Sequence, residues 1–212
     1  MATNLNGKRI LITAGPTWVP IDTVRVISNT ASGKTGILLA KALAKLDAKV
    51  TLLLGPVGSY HIDKNIKVID FNFFEELNSL IKSELRSKRY DIVIHSAAVS
   101  DYTPLSKVRK KISSNAKILS LTLKQTPKII NSLRKLSPGS FLVGFKFEPQ
   151  AVKSILIKEA RSLIRRAKLN IAVANSARKD KYAAYLVDLN KAHGPFSTKD
   201  ALVKGLTGLL EK

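Results

Sequence analysis

The stretch RILITAGPTWVPIDTVRVISNTASGKTG, residues 9–36, decides the fold. Residues 9–13 (RILIT) form an apolar run of the kind found in strands buried on both faces. Gly15-Pro16 closes that run with a turn signal. Residues 36–46 (GILLAKALAKL) then carry apolar side chains at helical spacing. A strand feeding a helix opens a βαβ unit. The connection between them is not a dinucleotide fingerprint, because GxGxxG is missing. It is not a P-loop either. Gly33-Lys34-Thr35 supplies the GKT ending, but the first glycine of that motif would fall at Ser28.

The connection instead places Asn29, Thr30, Ser32 and Gly33 directly before the helix. Backbone N–H groups at such a helix start can cradle an anion. Equally, Ser32 can serve as a helix cap and nothing more. Arg25 and Asn29 are four residues apart and share a face if the segment is helical. An arginine fork and an amide so placed can hold a carboxylate or phosphate. Otherwise they are a solvated arginine and a turn asparagine.

Outward from this stretch, apolar runs alternate with amphipathic ones. Strands are expected at residues 50–54 (VTLLL), 67–69, 91–95 (DIVIH), 119–123 (LSLTL), 141–145 (FLVGF), 171–174 and 185–187. Helices are expected at 73–85, from Pro127 to about Leu136, at 150–168 and at 199–210. Glu75 and Glu76 fall in a first turn, where the helix dipole favours them. This alternation predicts an α/β, Rossmann-like three-layer fold with a mainly parallel sheet and helices on both faces. Sites in such sheets lie beyond the carboxyl ends of the strands. Residues 14–36, 96–101 and 146–148 leave strands at that edge and are rich in small and polar types. Residues 103–118 are polar, basic and poorly periodic, and read as an excursion from the sheet, either a flap or a dimer arm.

The chain has 212 residues, 45% hydrophobic and 24% charged, which suits one globular domain and excludes disorder and collagen-like repeats. No apolar run reaches the roughly 18 residues of a membrane helix, and residues 1–10 lack a signal-peptide core. Cysteine is absent, which excludes disulfides, thiol catalysis and cysteine-bound metals. A cytoplasmic protein is expected. His61, His95 and His193 show no ligand spacing. The net charge is +21. Residues 1–100 hold 13 basic and 8 acidic residues, a net +5, and residues 101–212 hold 23 and 7, a net +16. The second half therefore suits nucleic acid or phosphorylated small molecules. Lys107 to Lys111 (KVRKK) can be a solvated face or a segment that closes over a polyphosphate. Arg161, Arg165, Arg166 and Lys168 add charge to the long helix. A basic nucleic-acid-binding α/β module would use the same residues, but aromatic side chains do not interleave with them as a stacking platform requires. A nicotinamide-dependent reductase is disfavoured by the missing GxGxxG. The Tyr60/Lys64 pair comes too early in the chain to support it.

The order and spacing of several motifs point further. These are ITAGPT, then PIDTVRVISNTASGKTG, Gly55-Pro56-Val57 and Ala97-Ala98-Val99-Ser100-Asp101-Tyr102. Next come Lys111-Ile112 ahead of LxLxxTPKII, Val143-Gly144-Phe145 with Glu148, and Ala174-Asn175. With them the chain resembles phosphopantothenoylcysteine synthetase (phosphopantothenate–cysteine ligase), the ligase half of the bifunctional coenzyme A biosynthesis flavoprotein, from about Gly7 to the C-terminus. The resemblance implies a nucleotide-dependent ligase acting on 4′-phosphopantothenate and L-cysteine. It implies CTP, or ATP, as co-substrate with Mg²⁺, and no flavin. It also implies a homodimer in which a flap or dimerisation arm, residues 103–125, completes the neighbour's site.

By the same resemblance Asn29 holds the reacting acyl group, Arg25 helps fix it, and Lys111 closes over the nucleotide. Gly15, Thr17, Ser32 and Gly33 contribute anion contacts. Ala97 and Ala98 border the intermediate, and Asp101 contacts the nucleotide. Pro127, Lys128, Ile129, Ile130 and Phe145 shape the base and ribose pocket. Arg165 and Lys168 stand in for lysines of the long helix, whose own positions hold Leu163 and Ala167. The chain also departs from the family pattern. Lys111-Ile112-Ser113-Ser114 replaces KIKK, Lys128 stands where Asp is common, and Ser176 replaces Asp.

Overall fold

The computed structural model describes residues 4–106, 110–115, 117–178 and 181–212. Its centre is an eight-stranded sheet. β1 (Arg9–Ala14) is flanked by β4 (Lys49–Leu54) and β6 (Ile92–His95), all parallel. β5 (Lys67–Asp70) extends the sheet beyond β4. On the other side β9 (Phe141–Phe147) and β10 (Ile171–Arg178) continue the parallel run from β6. β11 (Lys181–Val187) and β12 (Ala192–Phe196) close that side antiparallel. The strand order is β12-β11-β10-β9-β6-β1-β4-β5.

Helices cover both faces. α1 (Lys34–Ala44) and α5 (Lys199–Leu210) pack Ile37, Leu39, Leu43, Leu202 and Leu206 on Ile10, Ile12, Leu52, Ile94, Val143 and Val173. α2 (Phe74–Ser87), the short α3 (Leu133–Leu136) and α4 (Lys153–Ala167) cover the alternate residues Leu11, Leu53, Val93, Leu142 and Ala172. Successive strand residues thus enter opposite cores, which is why the strands read as continuous apolar runs. Truncating a side chain such as Leu43 or Leu77, each 0% exposed, removes about 2–5 kcal/mol. Glu76 reaches back to the N–H groups of Asn72 and Phe73 at 2.7 and 3.1 Å and fixes the start of α2.

Two small ribbons stand outside the sheet: β2 (Trp18–Pro20) with β3 (Val26–Ser28), and β7 (Tyr102–Pro104) with β8 (Leu123–Gln125). Three expectations are corrected here, and one open alternative is decided. Residues 25–29 are strand and turn rather than helix, because Val26–Ser28 pairs antiparallel with Trp18–Pro20. The strand expected at 119–123 begins only at Leu123, where it pairs with Pro104, and a single further bond from Leu105 N–H to the Thr122 carbonyl at 2.9 Å continues the contact. After Pro127 the chain forms a 3₁₀ turn, Ile129–Ser132, before α3. α4 starts at Lys153 rather than at Gln150, whose backbone is left-handed at φ 60°.

Candidate functional site

Chain order reverses at β1: α1 leads from it to β4, and α2 returns the chain past it to β6. Such a switch point leaves a crevice at the carboxyl edge. A cleft of about 720 Å³ opens there, within the range of small-molecule sites. Its floor comes from three loops that approach very closely. Gly15 and Gly33 adopt left-handed backbone, at φ 82° and 68°. A side chain on Gly15 would stand 3.1 Å from Gly55, and one on Gly55 would stand 2.2 Å from the Pro16 carbonyl. Close approach of this kind needs glycine. The loop before α1 is thus pinned on the turn after β4 by glycines from separate parts of the chain.

Of the sequence-derived candidates, Asn29, Ser32, Gly33 and Gly15 line one wall. Asn29 Nδ2 donates to the Ala98 carbonyl at 3.0 Å, tying that wall to the β6 loop. Gly33 caps α1 without any side-chain hydrogen bond, and Lys34 N–H reaches Ser32 Oγ only at 3.5 Å. The first-turn N–H groups of α1 therefore face the cleft without a strong cap, a ready place for an anion. Ala97, Ala98 and Asp101 continue the lining from the β6 loop, together with Pro127, Lys128, Ile129, Ile130 and Phe145.

Five candidates do not line the cleft. Thr17 is 0% exposed, and its hydroxyl accepts from Ser100 N–H at 2.9 Å; it braces two loops. Arg25 is engaged by Asp22 and Ile112 at the far end of the β2–β3 hairpin. Lys111 is exposed beside that contact. Arg165 and Lys168 are replaced by Arg166, which shares a helix face with the cleft-lining Leu163 three residues earlier. Lys168 is the left-handed residue ending α4, and its carbonyl accepts from Arg134 at 3.0 Å. Lys107 to Arg109 of the basic cluster lie outside the described residues.

The cleft also gathers residues that sequence reasoning did not assign: Lys34, Lys146, Phe147, Arg166, Tyr182 and Lys199. Asp101 is the sole acidic side chain among the described lining residues, and Lys128 neutralises it at 2.5 Å. Lys146 pairs with Glu148 at 2.7 Å. Lys34, Arg166 and Lys199 have no acidic partner among the described residues. The field in the cleft is positive, which suits anionic ligands. No group of three acidic or histidine side chains that could hold a metal occurs among the described residues. Among the described lining residues Asp101, paired with Lys128, is the one carboxylate, so a divalent ion here would be held largely on phosphate oxygens.

His95 ends β6 under the cleft and is buried. Its Nδ1 lies 2.9 Å from Thr13 Oγ1, which accepts from Ala97 N–H at 3.2 Å. The Thr13 hydroxyl and Nδ1 thus share one hydrogen bond, whose donor is set by the imidazole tautomer. Burial pushes the imidazole down to about 4. His95 is therefore a neutral, buried group joining β1 to β6.

The fold and cleft define a Rossmann-like α/β protein with a cationic site at the carboxyl edge of its sheet. The chain belongs to the family described as the DNA/pantothenate metabolism flavoprotein C-terminal domain, whose model matches residues 5–201. It is 42% identical over 175 residues to the coenzyme A biosynthesis bifunctional protein CoaBC of Thermococcus kodakarensis, covering 82% of this chain and 42% of that protein. To the CoaBC protein of Vibrio cholerae it is 36% identical over 221 residues, covering 98% and 53%. The chain thus spans about half the length of these curated relatives. The crystal structure of the DNA/pantothenate metabolism flavoprotein from Streptococcus pneumoniae superposes with a TM-score of 0.86 at 27% identity, covering 96% of this chain and 98% of that one. Among the described residues no helix is long and apolar enough to cross a membrane.

Proposed function

We propose that this chain joins 4′-phosphopantothenate to L-cysteine by way of an acyl-nucleotidylate, in coenzyme A biosynthesis. The observation that carries this reading is the cleft's single composite wall. An uncapped helix start, the Asn29 amide and unpaired cations face a space of about 720 Å³ in a chain whose family is that of pantothenate metabolism.

The chemistry requires two anions to meet. The carboxylate of phosphopantothenate attacks the α-phosphorus of a nucleoside triphosphate, forming an acyl–phosphate bond and expelling pyrophosphate. The cysteine amine then attacks the acyl carbon, forms the amide, loses a proton and releases the nucleoside monophosphate. CTP is the first choice of nucleotide and ATP the second. A magnesium ion, bound with the triphosphate, would offset its charge, with Asp101 as the described lining carboxylate that could hold it. In this reading the α1 N–H groups and Lys34 receive phosphate oxygens. Asn29 orients the acyl group, and its neutral amide adds no repulsion to the approaching carboxylate. Ala97 and Ala98 leave room for a ligand against the backbone. Phe145 and the 127–130 segment form the side of the cleft that suits a nucleoside. Lys111, on the 103–125 arm, closes from the rim.

A homodimer is part of the proposal. Its support is the apolar surface of the two ribbons, where Val24, Val26, Tyr102, Leu105 and Leu123 are 41–67% exposed. Mass spectrometry of a reaction with phosphopantothenate, cysteine, Mg²⁺ and CTP or ATP tests the reading. Phosphopantothenoylcysteine is the expected product, and its absence with both nucleotides contradicts the assignment.

A further inference from the structure

Arg25 stands four residues from Asn29 yet does not reach the cleft, and its partners explain why. Asp22, in the turn between β2 and β3, has a fully buried side chain. Its Oδ1 accepts from the N–H groups of Val24 and Arg25, each at 2.8 Å. Its Oδ2 accepts from Arg25 Nη1 at 2.5 Å and from Ile112 N–H at 3.1 Å. Arg25 Nη1 also donates to the Ile112 carbonyl at 3.2 Å. Both backbone polar groups of Ile112 are thus captured by one ion pair, across ninety positions of sequence. The bonds to Asp22, led by that from Val24 N–H, hold its carboxyl down at about 2, so the charge persists wherever the protein is folded.

The anchored residue follows Lys111 directly. The hairpin carrying the anchor ends, on its other side, in Asn29 on the cleft wall. Three strand residues lie between Arg25 and Asn29, a span of roughly 13 Å. The ion pair therefore sets where Lys111 starts from relative to the site, while touching nothing in the site itself.

We propose that Asp22 and Arg25 are positioning residues: acting through Ile112, they dock the segment that carries Lys111 on the turn of the β2–β3 hairpin, whose other end forms part of the cleft. What Lys111 does there rests on the ligase reading; the docking itself does not.

Asp22→Asn is the discriminating change. The amide oxygen still serves Val24 and Arg25 N–H, but the amide nitrogen meets two donors where Oδ2 accepted both. Hydrogen exchange of the ligand-free protein is the first readout. Exchange at Ile112 should quicken about tenfold or more, as expected when a charged acceptor is lost, while amides of β1 and β6 keep their protection. Arg25→Ala, which leaves the turn intact, should quicken the same amide to a smaller extent. The second readout is turnover. Asp22→Asn should lower kcat/KM for the nucleotide in the otherwise native protein and add little on a Lys111→Gln background. Unchanged exchange at Ile112 in both variants, with β1 and β6 still protected, would overturn the docking. Losses that multiply fully with Lys111→Gln would overturn the link to Lys111. A protein inactive with every substrate but showing the exchange response would count against the ligase reading and for the docking.

Discussion

Lowering the pH should destabilise this protein through one residue, His95. Burial alone depresses its imidazole from 6.5 to about 4, so the unfolded chain binds a proton that the folded chain refuses. The contribution is fully present above pH 6.5 and is lost as pH falls through the window from 6.5 to about 4. The complete loss amounts to about 3 kcal/mol, of which about 2 kcal/mol has gone by pH 5. For a domain of this size that corresponds to a fall in Tm of about 4–8 °C by pH 5. Carboxylates add their own acid sensitivity, so the informative quantity is a difference. Urea or thermal unfolding of the native protein and of His95→Gln, run at several values between pH 7.5 and 4.5, isolates it. The variant starts lower, having lost the Thr13 contact, but its curve should be flatter by the amounts given. Parallel curves would refute a buried, neutral His95.

Other substitutions probe other links. Asn29→Asp should cut turnover by roughly a hundredfold or more, because it sets a second negative charge beside the reacting carboxylate; its Tm should stay near that of the native protein, and steady-state assay with circular dichroism checks both. Gly55→Ala drives a methyl to 2.2 Å from the Pro16 carbonyl, so unfolding should be easier by about 3 kcal/mol, read from urea midpoints. Lys111→Gln should harm turnover more than Lys107→Gln; the reverse order in a nucleotide titration would move the closing lysine upstream.

The sequence made the central sheet legible because its strands are covered on both faces. RILIT, VTLLL, DIVIH and FLVGF are continuous apolar runs, and each became a strand. The segments carrying Gly15, Asn29, Ala97 and Lys146 lie at the carboxyl ends of those strands, so their convergence was readable too. What was not readable depends on contacts distant in sequence. The segment around Arg25 and Asn29 was compatible with helical spacing, and only pairing with Trp18–Pro20 makes it a strand. The extended backbone carries Arg25 roughly 13 Å along the chain from Asn29, where it meets Asp22. The β12 segment AHGPF lacks both apolar alternation and β-branched residues, and β11 holds it by antiparallel pairing. Lys199 and Tyr182 reach the cleft only because this antiparallel pair brings α5 beside α1. On α4, Arg165 and Arg166 look equivalent in sequence, and the helix phase set by Leu163 chooses between them.

The central claim is that the cleft activates a carboxylate by transferring a nucleotidyl group to it. Its most direct test is pyrophosphate release, measured with 4′-phosphopantothenate and Mg²⁺, comparing CTP with ATP, with and without cysteine. The account predicts release that requires phosphopantothenate, stops after about one equivalent per site without cysteine, and turns over when cysteine is added. Release independent of phosphopantothenate, or none with either nucleotide, would contradict it.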